Sequence, residues 1–274
     1  MLRKLLKYEF KATGRVMLPV LLALLAVSGL LNICVRVTEH SEGTVISFVT
    51  GMLAFLYVMA ILAIGVVALV ALVYRFYKNL LSDEGYLMFT LPVSVHSLVW
   101  AKLITAIVWL IAAFLDIVLS LFVLAAPLRL GWGIEFVQFI GQVFDELAAV
   151  GINGLEIAAF ALELLLIVIL GIIGSCLVFY TALSLGHSFS NHKMLLSVGF
   201  YFAIGFVTQI VVVMLLIGLG TTLDGTEFNY VYTLRSALNL GHATLLGICL
   251  STLLYDAVLY FATTFMLKRR LNLP

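Results

Sequence analysis

Apolar residues run along this chain in long unbroken blocks rather than in short alternations. A helix needs about 20 apolar residues to cross the hydrocarbon core of a bilayer. Six blocks meet that length: Val16–Val35, Val45–Tyr74, Leu103–Ala126, Ile157–Leu185, Met194–Leu219 and Ala243–Leu267. The first, second and fifth contain no charged side chain, and the others contain one acid each. Membrane-spanning strands would alternate over segments of about ten residues, and nothing here alternates. The pattern predicts an all-α integral membrane protein with six transmembrane helices, forming a single membrane domain over residues 1–274.

The stretches between the blocks have patterns of their own. In MLRKLLKYEFKATGR, Leu2, Leu5, Leu6 and Phe10 recur at helical spacing against Lys4, Lys7 and Lys11. Residues 1–15 therefore read as a short basic amphipathic helix in the membrane interface, with Gly14 leaving room to turn upward into the first span. From Pro127 to Glu156, Phe136, Ile140, Val143 and Leu147 oppose Glu135, Gln138, Gln142, Asp145 and Glu146 at a period of about 3.6, which predicts a helix on the outer surface. Between Gly220 and His242, Phe228, Tyr230 and Tyr232 suit the interfacial aromatic belt, beside Asp224 and Glu227.

The segment from Arg75 to Lys102 is the most informative. A connection between neighbouring helices needs about 2–8 residues, so this one is longer than closure requires. It is also apolar for a loop, with Leu80, Leu81, Tyr86, Leu87, Met88 and Phe89 close together. Ser82 can cap a helix whose first turn carries Asp83 and Glu84, where the helix dipole favours acids. Pro92 cannot continue that helix and disfavours helical geometry at Leu91. The expectation is a short helix over Asp83–Thr90 with aromatic side chains in the open. Such a cluster either marks a docking site or packs on its own membrane domain.

Composition and charge complete the picture. Hydrophobic residues make up 64% of the chain and charged residues 11%, too few charges to cover a water-facing surface when soluble domains carry about 25%. The formal net charge of +1 excludes a nucleic-acid binder that works through a bulk positive field. Twelve of the fifteen Lys and Arg residues fall on one side of the six spans, and Arg36, Arg129 and Arg235 fall on the other. Basic residues stay in the cytoplasm, so both termini and the Arg75–Lys102 loop are expected there, in the plasma membrane. The first block is longer than the 7–15 residues or so of a signal-peptide core, and removing it would put the basic tail on the wrong side. Cys34, Cys176 and Cys249 sit in apolar blocks without close pairing, which suits packing rather than a disulfide framework or a thiolate metal site.

The order of these features resembles the permease subunits of bacterial type-2 ATP-binding-cassette (ABC) transporters. The loop carries the motif: Ser82-Asp83-Glu84-Gly85, then Tyr86-Leu87-Met88-Phe89-Thr90-Leu91, then Pro92-Val93-Ser94, then Lys102. The basic residue usual after the Pro-Val-Ser turn is replaced by Val95-His96. The resemblance implies an N-terminal interfacial elbow helix and a cytoplasmic coupling helix between spans two and three. It also implies short re-entrant helices before the last span, for which Ser236–Gly241 is the place. Ser82, Asp83, Glu84, Gly85, Tyr86, Leu87, Met88, Phe89 and Pro92 would then contact a separate ATPase, present in two copies, that holds ATP and magnesium. A second permease subunit, the same or related, would complete the path. The chain itself contains no G-x-x-x-x-G-K-[ST] phosphate loop and no Gly-Lys dipeptide. It also shows no Ser–His–acid set and no H-E-x-x-H run, so neither enzymatic catalysis nor a resident cofactor is expected of it.

Three acids lie inside the blocks: Asp116, Glu163 and Asp256. An ionised acid at bilayer centre costs at least about 2.5–3.5 kcal/mol, so each must be neutral, paired or facing water. No Lys or Arg sits at matching depth, which leaves Gln209, Thr208, Tyr255, Thr105 and Ser120 as hydrogen-bond partners. The acids can line a path for cationic cargo such as a peptide or drug, relay protons or cations, or join helices as protonated groups. The relay defines the rival function, an ATP-independent secondary transporter or channel. His187 and His192 lie five apart, the wrong spacing for one helical face, and suggest no metal site. Gly171 and Ser175 form a small-xxx-small pair that allows close helix approach.

Overall fold

In the computed structural model, the described residues are 2–40, 43–82, 84–90, 92–126, 132–149, 152–189, 191–225 and 234–269. They form eight helices and no strand: α1 (Leu2–Glu39), α2 (Thr44–Leu80), α3 (Glu84–Thr90), α4 (Val95–Ala125), α5 (Trp132–Ala149), α6 (Gly154–Gly186), α7 (Lys193–Gly225) and α8 (Leu234–Arg269). All but α3 and α5 are long and apolar enough to cross a membrane, the build of a multi-pass membrane protein. Large apolar side chains such as Leu62, Phe202, Phe206 and Met214 stand exposed on the helix flanks. Lipid accommodates that surface, whereas water would penalise it. The chain packs as two compact units, residues 1–74 with 100–154 and residues 75–99 with 155–274.

The first unit is built on α1, with α2 and α4 against it. Leu24 and Leu31 of α1, Tyr57 and Ile64 of α2 and Ala113 of α4 form its buried centre. Polar contacts fix the register. The Asn32 amide donates to the carbonyls of Val123, Leu124 and Ala126 at 2.8–3.0 Å, satisfying acceptors that the C-terminus of α4 leaves open. Ser120 donates to the Ile117 carbonyl and accepts from the Tyr57 hydroxyl at 2.9 Å. Lys102 donates to Glu9 at 2.5 Å, and Trp109 donates its indole N–H to Thr13 at 2.7 Å. Residues 9, 13 and 32 of α1 thus meet residues 102, 109 and 123–126 of α4 in ascending order, so the two helices run parallel.

The turn expected at Gly14 is absent. One helix continues through Gly14 and Pro19 from Leu2 to Glu39. At 1.5 Å per residue its 38 residues span about 57 Å, well beyond a hydrocarbon core of about 30 Å. The basic amphipathic stretch is therefore the protruding end of the first span, held by Glu9 and Thr13. A Cβ on Gly14 would meet the Trp109 ring at 3.4 Å, an ordinary packing distance. Every described side chain of α5 is exposed; those of Phe136 and Leu147 lie outside the described residues.

The second unit is built from α6, α7 and α8 with the end of α2 and the loop after it. Phe76 stacks on Tyr180 at 3.9 Å, both fully buried. The hydroxyls of Thr181 and Thr263, 2.8 Å apart, join α6 to α8. At the turn into α7, His192 adopts a left-handed backbone with φ 53°. Gly186 there sits so close to Ser197 that a Cβ would lie 2.5 Å from its backbone nitrogen. Residues 236–241 form the first turns of α8 rather than a separate re-entrant helix. Gly241 admits the Phe160 ring edge at 3.3 Å from where its Cβ would be. Phe228, Tyr230, Tyr232 and Glu227 lie outside the described residues.

Candidate functional site

The loop after α2 holds the short helix that the sequence suggests, as α3 from Glu84 to Thr90. Thr90 is its last residue, as Pro92 two positions on requires. Tyr86 is 54% and Leu87 72% exposed, Met88 and Phe89 are half-buried, and Pro92 is exposed. Leu80 and Leu81, expected in the same open cluster, are instead fully buried: they close the end of α2 into the second unit. Ser82 was expected to cap α3, but its hydroxyl donates back to the Lys78 carbonyl. The cap is left to the backbone, with Gly85 N–H donating to Ser82 O at 2.7 Å. Glu84 lies 3.6 Å from Lys78, a half-exposed pair worth at most about 1 kcal/mol. Asp83 lies outside the described residues.

Beyond the loop, Ser94 caps α4, accepting from the Ser97 N–H at 3.3 Å. His96 then occupies the place of the missing basic residue. Lys268 can only donate, so His96 Nε2 accepts from it at 2.9 Å, and Nδ1 donates to the Tyr260 hydroxyl at 2.8 Å. The start of α4 is thereby tied to the end of α8 through His96, Tyr260 and Lys268.

The three intramembrane acids have three different settings. Glu163 is buried on α6, with both oxygens at 2.9–3.0 Å from His242 Nδ1 on α8. The His242 ring also stacks on Phe160 at 3.8 Å. His242 is a partner that the sequence does not suggest when only Lys and Arg are sought at matching depth. His242 stands just before the sixth apolar block, at the end where Glu163 enters the fourth, and that was the signal. Asp116 is buried on α4 in the first unit, with Oδ2 lacking a hydrogen-bond partner among the described residues. Asp256 is buried on α8 in the second unit, and its Oδ2 likewise has none.

Four of the five polar residues expected to serve these acids are engaged elsewhere, and the fifth, Gln209, is exposed on α7. Thr208 bonds Tyr255 at 3.0 Å, Thr105 donates to Ala101 O, and Ser120 pairs with Tyr57. Asp256 and Tyr255 help line a cleft of about 660 Å³ between α6, α7 and α8.

His187 and His192 do unrelated things. His187 is buried just past α6 and donates from Nδ1 to Leu183 O at 2.8 Å, with its ring tilted 5.5 Å from Tyr77. Burial pushes its imidazole below the ordinary histidine range, the Leu183 hydrogen bond opposes this, and the nearby Lys193 charge adds to it. Among the described residues no three His, Cys, Asp or Glu side chains are grouped to hold a metal. Cys34, Cys176 and Cys249 are free thiols. Set against known proteins, the chain matches no family model, no curated protein and no solved structure.

Proposed function

We propose that this chain is the membrane-spanning permease subunit of an ABC transporter in a bacterial plasma membrane, exporting cargo with energy from a separate ATPase. Both termini and α3 face the cytoplasm, as twelve of fifteen basic residues on that side argue. The observation that carries the reading is α3 itself: a seven-residue helix between the second and third spans with Tyr86 and Leu87 exposed. An aromatic and a leucine side by side in water suit a pocket on another protein. Two copies of the ATPase would each grip one α3, and a second permease subunit would enclose the path. Through Phe76 against Tyr180, and Lys268 through His96 to Tyr260, movement at the loop reaches α6 and α8.

The test expresses the chain with the ABC ATPase encoded beside it and measures co-purification. The wild-type chain should retain the ATPase, and the double variant Tyr86→Asp, Leu87→Asp should lose it while still inserting in the membrane. Equal retention by both overturns the assignment of α3. Transport in the absence of any ATPase favours the rival, a secondary transporter or channel working through its intramembrane acids.

A further inference from the structure

Asp256 is where the polar chemistry and the open space of the second unit coincide. It lies thirteen residues before Arg269 on α8, about 20 Å along the axis at 1.5 Å per residue, far from either end of the span. The residue is 7% exposed, and its Oδ2 has no hydrogen-bond partner among the described residues. Room for the carboxylate comes from Gly174 on α6: a Cβ there would lie 2.7 Å from Oδ1. The acid borders the cleft of about 660 Å³, within the range of roughly 300–1,000 Å³ of pockets that hold drug-sized molecules. The rest of the lining is chiefly aliphatic, including Val178, Val207, Val211 and Val258. Its polar neighbours are occupied, since Tyr255 and Thr208 bond each other. Among the described residues, Asp256 is the only acidic or basic one on that lining.

An acid unpaired in an apolar site is costly unless the occupant brings the opposite charge. A lipid tail would need no carboxylate, and a polycationic peptide would need several. We infer that this cleft binds lipophilic monocations, an ammonium or phosphonium centre carried on aryl or alkyl groups, with the positive centre against Asp256 and the apolar groups along the valines. Calling such a cation the cargo rests on the permease reading; its binding does not.

The test uses the purified full chain in maltoside micelles and radiolabelled tetraphenylphosphonium in equilibrium dialysis, with no ATPase present. The wild-type chain should bind saturably at one site. Asp256→Asn keeps the shape and removes the charge, and should weaken binding at least tenfold. Ala203→Trp fills the cleft from an exposed position on α7 with the acid intact, and should weaken it as much. Leu62→Trp, which adds bulk to the exposed flank of α2, should stay within twofold of wild type. Binding within twofold of wild type in Asp256→Asn overturns the proposal, as does loss in Ala203→Trp alone, which would mark a groove for a lipid tail. Should Asp256→Asn fail to fold, neutral triphenylphosphine oxide decides. Competition equal to that of unlabelled tetraphenylphosphonium removes the role of charge and overturns the proposal; competition at least tenfold weaker upholds it.

Discussion

Replacing Lys102 by Met should be among the most damaging single changes in the first unit. Lys102 and Glu9 sit 2.5 Å apart with 5% and 8% of their side chains exposed. At that distance and an effective dielectric constant of about 20, their attraction is about 7 kcal/mol. Removing two ions from water costs several kcal/mol each, so the intact pair contributes little net stability. Removing one partner is different, because the other charge stays buried without its counter-ion, at about 3–5 kcal/mol. At about 2–4 °C per kcal/mol for a chain of this size class, the melting temperature should fall by about 6–20 °C. Hydrogen exchange of the α1 and α4 amides, followed with temperature in detergent, measures this. Glu9→Leu with Lys102→Met should recover most of the loss, since an apolar pair can replace a buried ion pair. A single variant melting within about 2 °C of wild type, or a double variant no better than the single, would refute the reasoning.

Three further outcomes are expected. Gly186→Ala should destabilise the second unit by about 1–3 kcal/mol or more, because the new methyl would collide with the Ser197 side chain and backbone; melting of the purified variant reads it. Asn32→Leu should cost about 1–3 kcal/mol by removing the amide donor from the Val123 and Leu124 carbonyls at the end of α4, read as faster amide exchange at residues 120–126. Stability should hold steady above pH 6.5 or so and decline as the pH falls below it, because the unfolded chain then takes up a proton at His187 that the folded chain resists. His187→Gln should flatten the melting temperature between pH 6.5 and 5.5, and an unchanged slope would assign the effect to another group.

The spans were legible because hydropathy over about 20 residues depends on composition alone; five of the six apolar blocks lie within long helices, and the third overruns α4 by one residue, Ala126. What escaped reading were contacts between distant residues. Gly14 looks like a hinge until Trp109, ninety-five positions away, is seen against it. Ser82 has the chemistry of a cap, yet the end of α2 competes for its hydroxyl. Leu80 and Leu81 are indistinguishable in sequence from Leu87, and only the course of the helix decides which are buried. Glu163 and His242 lie on separate helices, and their pairing becomes visible only when His is sought as a hydrogen-bond partner. The cleft beside Asp256 requires three helices at once, and no local pattern announces it.

The central claim is that α3 is a handle for a second protein, and site-specific photocrosslinking tests it most directly. Benzoylphenylalanine at Leu87, 72% exposed on α3, should form an adduct with the neighbouring ATPase in intact cells. The same group at Phe139, exposed on α5, should form none. Absence of the adduct from position 87 in cells that make both proteins, or equal yields at the two positions, would contradict the account.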